Sequence, residues 1–334
     1  MAIESTTRYP GISGQGFAHP AERAATAAIR TVPGLDKVVK LLSEHSYERR
    51  LRQLLTGNAV RLGDDQLPGL WAAQRHCADV LDVERCPKLY VTQEPVGSGL
   101  TIGTNEPVTL VSSGLVGSYT DDELTAVLGH EMGHVLADHV GLTTTLQLVQ
   151  MILGGAIRAV PLAGVPLVAL YLALLEWSRA AELTSDRASA IVTGEPLVVC
   201  QTLMRMAGGP VADLNLDAFL RQATEYAEEK DPFARYSRFF AEITTTHPFP
   251  VRRVRELITW VSAGELDRIR SGSYLRRGQE PPPSEEFDAA LEHYRKRFTA
   301  MLERAGEGFA TVLDRISAWL GGNEGDSPSG GATP

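Results

Sequence analysis

From Ala21 onward the chain places apolar residues at three- and four-residue steps (AERAATAAIR), the period of a helix. Pro33-Gly34 interrupts the pattern, and the same spacing resumes through Leu35–Leu55. A further helix is predicted over Leu67–Leu81. Three short runs then change to strand character between Pro/Gly turns: Lys88–Thr92 (KLYVT), Leu100–Gly103 (LTIG) and Val108–Ser112 (VTLVS). After Gly117 the pattern is almost wholly helical. The expected fold class is therefore α+β, mostly helical, with helices packed around a small antiparallel sheet. Along the chain this gives a flexible lead-in over 1–18, rich in Gly, Ser and Thr, and a helical segment over 19–86. A main domain over 87–276 follows, then a Pro-rich linker over 277–286 and an amphipathic helix over 287–320. Residues 321–334 lack apolar content and read as a disordered tail.

One segment departs from the pattern of a water-soluble helical protein. Between Leu142 and Leu175 the only charged side chain is Arg158. A spanning helix needs about 20 apolar residues. Each half of this segment falls short of that, and Pro161 and Pro166 shorten the regular part of the second. Three readings stay open for 142–175: helices buried in protein or self-associating, a hairpin on or partly within a membrane surface, and a true span. Composition narrows the rest. Of 334 residues 43% are hydrophobic, enough for a substantial core. The net charge of −9 excludes broad nucleic-acid binding, which needs a basic face. Cys77, Cys86 and Cys200 form no C-x-x-C pair, which favours a reducing compartment. Glu4 and the lack of an early apolar run argue against a secretory signal, so the expected location is cytoplasmic, with membrane association only through 142–175.

The chemistry is concentrated in His130-Glu131-Met132-Gly133-His134. A helix brings positions four apart onto one face, so His130 and His134 reach one metal ion, with Glu131 beside them to take a proton from a metal-bound water. The helix is signalled independently. Thr120 and Glu123 form a capping box, and Leu124, Val127, Leu128, Val135 and Leu136 mark a buried stripe. A third ligand six residues past the second His is ruled out, because that position is Val140 and nearby His139 is out of register. Glu182 supplies the alternative, a later-helix carboxylate that completes the His₂Glu set of a catalytic zinc site. Asp186, one turn further on, is placed to accept the second ring N–H of a ligating His. His19, His45, His76 and His293 have no partner at ligand spacing and read as ordinary residues.

With these residues in place, the chain resembles the zinc metallopeptidase family that includes the CAAX prenyl proteases, HtpX and the Oma-type proteases. The resemblance covers roughly Pro87–Leu257. It rests on LVGSYTDDELTAVLGHEMGH (115–134), on Glu182…Asp186 as an E-x-x-x-D motif, and on Thr246-His247-Pro248 with Arg253. It implies a gluzincin, with a thermolysin-like catalytic domain whose sheet lies over the active-site helices, and one Zn²⁺ per chain on His130, His134 and Glu182. It further implies Glu131 as catalytic acid/base, His247 as a donor to the transition-state oxyanion, and Arg253 as a brace. The strand Leu100, Thr101, Ile102 and Gly103 would be the cleft edge on which substrate adds. Here the chain departs from the family's Asn-Ala-Phe-Ala-x-Gly segment, keeping only the final Gly, which puts substrate preference in doubt. The expected function is a zinc-dependent metalloendopeptidase acting on protein or peptide substrates. The alternative is a catalytically idle zinc-binding scaffold or chaperone-like module, against which the intact Glu131 speaks, since a structural site needs no base. The helix over 287–320 is expected to pack on the catalytic domain rather than recruit a partner.

Overall fold

The computed structural model describes residues 7–32, 35–43, 53–103, 105–154, 167–209, 211–228 and 245–280, with a few further helical positions between 288 and 296. The first helices are α1 (Pro20–Ile29) and the strongly amphipathic α2 (Leu35–Ser43). Then come the two-residue strand β1 (Val60–Arg61) and α3 (Pro68–Val80). Strands β2 (Lys88–Thr92), β3 (Gly99–Ile102) and β4 (Val108–Ser112) occupy the runs read as strands. The remaining chain forms α4 (Ser113–Ser118), α5 (Asp121–Leu136), α6 (Val140–Leu153), α7 (Leu167–Thr193) and α8 (Pro196–Gly208). Among the described residues α9 (Leu216–Glu228), α10 (Pro250–Ser262) and α11 (Glu265–Arg270) follow. The result is a mostly helical α+β fold.

The sheet is mixed rather than antiparallel. Its order is β1-β2-β4-β3, with β2 parallel to β4 and the other two pairs antiparallel. The antiparallel expectation follows from taking every Pro/Gly turn as a hairpin, and only the β3–β4 turn behaves so. After β2 the chain passes to the far edge, and β4 returns between β3 and β2. The cause lies in β2 itself: Leu89 and Tyr90 are consecutive and both buried, so this strand is covered on both faces and flanked on both sides. The lead-in also differs from expectation from residue 7 onward. Tyr9, Ile12 and Phe17 are buried in the core, Tyr9 N–H donates to Val80 O (3.0 Å), and Ser13 N–H donates to Leu275 O (2.9 Å). Three apolar side chains in a Gly/Ser-rich context suffice to dock the segment.

Two helices dominate the interior. The N-terminus of α5 is closed by the capping box, with Glu123 N–H donating to Thr120 Oγ1 (3.3 Å) and Thr120 N–H to Glu123 Oε2 (2.8 Å). Against it runs α7, antiparallel and almost completely buried from Arg179 to Val192. The pair approaches closely because α5 presents glycines to small residues of α7. A Cβ on Gly133 would lie 2.5 Å from Ala188 Cβ, and one on Gly129 would lie 3.0 Å from Val192 Cβ. Ser189 Oγ donates to Ala126 O (2.6 Å) across the same seam. Gly133→Val is therefore expected to force the helices apart, at a cost at or above the ~1–3 kcal/mol usual for overpacking. Denaturant unfolding of the metal-free variant measures this cost, and an unchanged midpoint would show that the seam is not tight.

The apolar segment is described in two parts. Helix α6 packs on α2, on α7 and on the end of β3, where Thr144 Oγ1 accepts from Gly103 N–H (2.9 Å) and donates to Gly103 O (2.8 Å). Its buried Leu146, Leu148 and Val149 join Leu170, Leu174 and Trp177 of α7 and Ala25, Ala28 and Ile29 of α1 in one apolar cluster. Among the described residues no helix is long and apolar enough to cross a membrane. Arg158 lies outside the described residues, as do His45, His293, the proline run 281–283 and the tail. Of the expected C-terminal helix, Leu291 and Tyr294 pack against this apolar cluster.

Candidate metal centre

Because α5 and α7 meet through glycines, side chains that face the seam come together. His130 and His134 lie one turn apart on α5, Glu182 and Asp186 one turn apart on α7. The Nε2 atoms of the two histidines are 3.2 Å apart. His130 Nε2 is 3.3 Å from Glu182 Oε2, and His134 Nε2 is 3.3 Å from Glu182 Oε1. All three residues therefore offer ligand atoms within 4.8 Å of one another. Glu182 Oε2 is buried and accepts no aligned hydrogen bond, though His130 Nε2 and Arg253 Nη1 lie close to it. This donor set of two imidazoles and a carboxylate suits a divalent metal.

The outward-facing nitrogen of His130 meets a buried ion pair. Its Nδ1 is 3.1 Å from Asp186 Oδ1, and Asp186 receives a two-pronged grip from Arg253 of α10 (Nε to Oδ2 2.8 Å, Nη2 to Oδ1 2.6 Å). Arg253 Nη1 also reaches Glu182 Oε2 at 3.2 Å. Burial alone would raise both carboxyls. Arg253 outweighs it at Asp186, and His247, Arg253 and His130 hold Glu182 well below the usual range. Burial works the other way on the imidazoles. It pushes His134 down to about 4, whereas at His130 it is overcome by Glu182 and Asp186, which bring that ring up to about 9.

Glu131 lies on the floor of the cleft beside the edge strand. Burial raises its carboxyl to about 7, against the pull of His130 and a hydrogen bond from Thr101. Thr101 Oγ1 donates to Glu131 Oε2 (2.8 Å), so the 3.1 Å contact between the Thr101 and Thr109 hydroxyls must run from Thr109 to Thr101. Gln74 Nε2 in turn donates to Thr109 Oγ1 (3.3 Å). This buried chain through the sheet ends on Glu131 and was not foreseen from the sequence, where Thr101 figures only as an edge-strand residue. Gly99 completes the fit, since a Cβ there would lie 2.9 Å from Glu131 Oε1. Leu100, Thr101 and Ile102 form β3, which pairs only with β4 among the described residues, and Gly103 follows it at φ 129°.

His247 sits on the rim. Its Nε2 is 3.5 Å from Glu182 Oε1, its side chain is 57% exposed, and Thr246 Oγ1 holds its Nδ1 at 2.7 Å. Helix α7 carries this loop, through Ser178 Oγ to Thr246 O (3.0 Å) and Arg179 Nη1 to Thr245 O (3.0 Å). The cleft between the rim and β3 has a volume of about 590 Å³, with Val199, Leu203 and Met206 of α8 along one wall. Two more residues were missed from sequence. His139 comes back beneath His134, with the two Nδ1 atoms 3.1 Å apart, and Glu22 of α1 lies behind it. A straight continuation of α5 points His139 elsewhere. The helix ends at Leu136, and Asp138 turns the chain in the left-handed region (φ 59°), which Asp tolerates better than most residues.

Comparison with known proteins agrees with this geometry. The sequence model of peptidase family M48 matches residues 75–261. The plastoglobule-localized metallopeptidase 48 of Arabidopsis thaliana is 35% identical over 259 residues, covering 75% of this chain and 74% of its own. The protease HtpX homolog 2 of Methanosarcina acetivorans is 25% identical over 231 residues, or 61% of this chain and 76% of its own. A protease HtpX homolog of Tropheryma whipplei is 25% identical over 241 residues, or 64% and 79%. No solved structure matches the chain. The helix pair that brings two histidines and a glutamate to one point thus lies inside the matched region, and the chain belongs to peptidase family M48 as a metal-dependent protease.

Proposed function

We propose that the chain is a zinc-dependent endopeptidase, with one Zn²⁺ held by His130, His134 and Glu182 and with Glu131 as its general base. The observation that carries this reading is the spacing of the donor atoms. Bonds of about 2.0–2.1 Å in a tetrahedral zinc site put neighbouring ligand atoms about 3.3 Å apart; the two imidazole Nε2 atoms are 3.2 Å apart, and each lies 3.3 Å from a different oxygen of the Glu182 carboxylate between them. A zinc ion held by these residues would supply Lewis acidity, lowering the pKa of a water and polarising the scissile carbonyl.

Every other role falls to the chain's own side chains. Glu131, aimed by Thr101, accepts the proton of the attacking water and passes it to the leaving amine. His247 Nε2, on the rim beside Glu182, donates to the carbonyl oxygen as negative charge develops. Arg253 and Asp186 hold His130 in orientation. Leu100, Thr101 and Ile102, on the edge of β3 that has no partner strand among the described residues, take the substrate backbone as an added strand, whereas both backbone groups of Gly103 are held by Thr144. The helix pairing is thermolysin-like on this reading. Helices α6 and α7 bury their apolar faces in protein, and three unpaired cysteines suit a cytoplasmic, reducing location.

Purified chain is expected to cleave an unfolded substrate such as casein, to lose that activity with a chelator, and to regain it with one equivalent of zinc. Cleavage insensitive to chelation would overturn the proposal. So would a zinc-loaded chain that leaves casein intact, the behaviour of an idle scaffold.

A further inference from the structure

His134 turns Nε2 to the ligand cluster, which leaves its Nδ1 facing away from the site. For His130 the corresponding nitrogen meets Asp186. For His134 it meets a second imidazole, that of His139, with the two Nδ1 atoms 3.1 Å apart. The proton positions follow. A His134 that gives its Nε2 lone pair to a metal carries its proton on Nδ1 and donates from there. His139 Nδ1 must then accept, so a neutral His139 carries its own proton on Nε2. That nitrogen lies 3.3 Å from Glu22 Oε1, off the straight line of a hydrogen bond, and it has no other partner among the described residues. His139 is 1% exposed and Glu22 5%.

Glu22 is itself held in place. Thr26 Oγ1 donates to Glu22 Oε1 (2.6 Å), and Trp177 Nε1 donates to Thr26 Oγ1 (2.8 Å) while its ring stands edge-on to His139. The start of α1 is tied to α7 by His19 N–H to Thr184 Oγ1 (2.9 Å) and by Arg187 Nη1 to Phe17 O and Ala18 O. Burial would raise the Glu22 carboxyl, but His139 and Thr26 more than offset this, so it faces His139 as a carboxylate.

The geometry points to Glu22 and His139 as positioning residues that set the tautomer and aim of His134 toward its metal, by a relay from Glu22 through His139 to His134. Glu22 precedes the stretch matched by the family model, so on this inference α1 is part of the metal centre rather than a cover for its back. The inference rests on the proposed metal reading of the site.

The test uses the full-length chain stripped of metal. Zinc affinity is measured by competition with a chromophoric chelator, the Co²⁺-loaded absorption spectrum is recorded, and the metal-free unfolding midpoint shows whether each variant is folded. Glu22→Gln and His139→Leu are expected to weaken zinc binding by about 10–100-fold and to shift the Co²⁺ bands. His139→Asn is expected to lose less, because its Oδ1 still accepts from His134 Nδ1–H. Ile29→Ala loosens the packing of α1 on α7 while leaving the relay groups and their hydrogen bonds in place, and is expected to bind zinc nearly as wild type does. Folded Glu22→Gln with affinity within twofold of wild type overturns the inference, and being isosteric this variant decides the matter even where His139→Leu does not fold. An equal loss in Ile29→Ala overturns it too, by assigning the effect to packing. Wild type that binds no zinc removes the metal reading and this inference with it, whereas wild type that binds zinc beside unaffected variants removes only the inference.

Discussion

Glu131→Gln is expected to keep its metal and lose about 10²–10⁴-fold of its turnover on casein, the range over which a positioned general base contributes. The metal stays because His130, His134 and Glu182 are untouched. The side chain stays in place because a glutamine oxygen still accepts the Thr101 hydroxyl, and Gly99 leaves room for an amide where the carboxylate was. What disappears is the capacity to take a proton from water. Two measurements on one preparation decide the point, metal content per chain and initial rate of cleavage. A variant with full metal and a rate within a few-fold of wild type would remove Glu131 from the chemistry and leave the rim histidine, His247, as the next residue to test.

The candidate metal cluster was legible in the sequence because each of its pairs is a local property of one helix. Positions four apart share a face wherever the helix goes, so His130 with His134, and Glu182 with Asp186, follow from spacing alone. That the two helices meet was not read from the sequence; the structure shows it through Gly129 and Gly133, next to the histidines on α5. Four features were not legible. Strand order depends on which neighbours cover β2 rather than on the turns that follow it, so the sheet was read as antiparallel. The hydroxyl chain from Gln74 to Glu131 crosses the sheet between residues that individually read as ordinary strand and helix polar positions. His139 was discarded because helical extrapolation fails past Leu136, and the turn that redirects it is made by Asp138 rather than by a glycine that would have marked it. Glu22 is harder still, since nothing local ties α1 to a site built from α5 and α7. The contacts that do so are tertiary, such as His19 N–H to Thr184 Oγ1.

Arg253→Leu is expected to cost the metal-free protein about 3–5 kcal/mol, because it strips the guanidinium from two buried carboxylates and leaves them the His130 imidazolium alone. Arg253 is 6% exposed, grips Asp186 with two nitrogens and touches Glu182 with the third. In a chain of this size that loss corresponds to a fall in melting temperature on the order of 10 °C. The expected signature is not only the size of the fall but its dependence on metal. An ion bound between His130, His134 and Glu182 restores positive charge beside the same carboxylates, so the metal-loaded variant should lose less than the metal-free one. The gap between the two melting temperatures should therefore be wider in Arg253→Leu than in wild type. Arg253→Lys keeps the charge but not the planar fork, and should fall between the two. Equal losses with and without metal would mean that Arg253 acts by filling space between α7 and α10. An unchanged melting temperature without metal would mean that the carboxylates find other partners or take up protons at little cost.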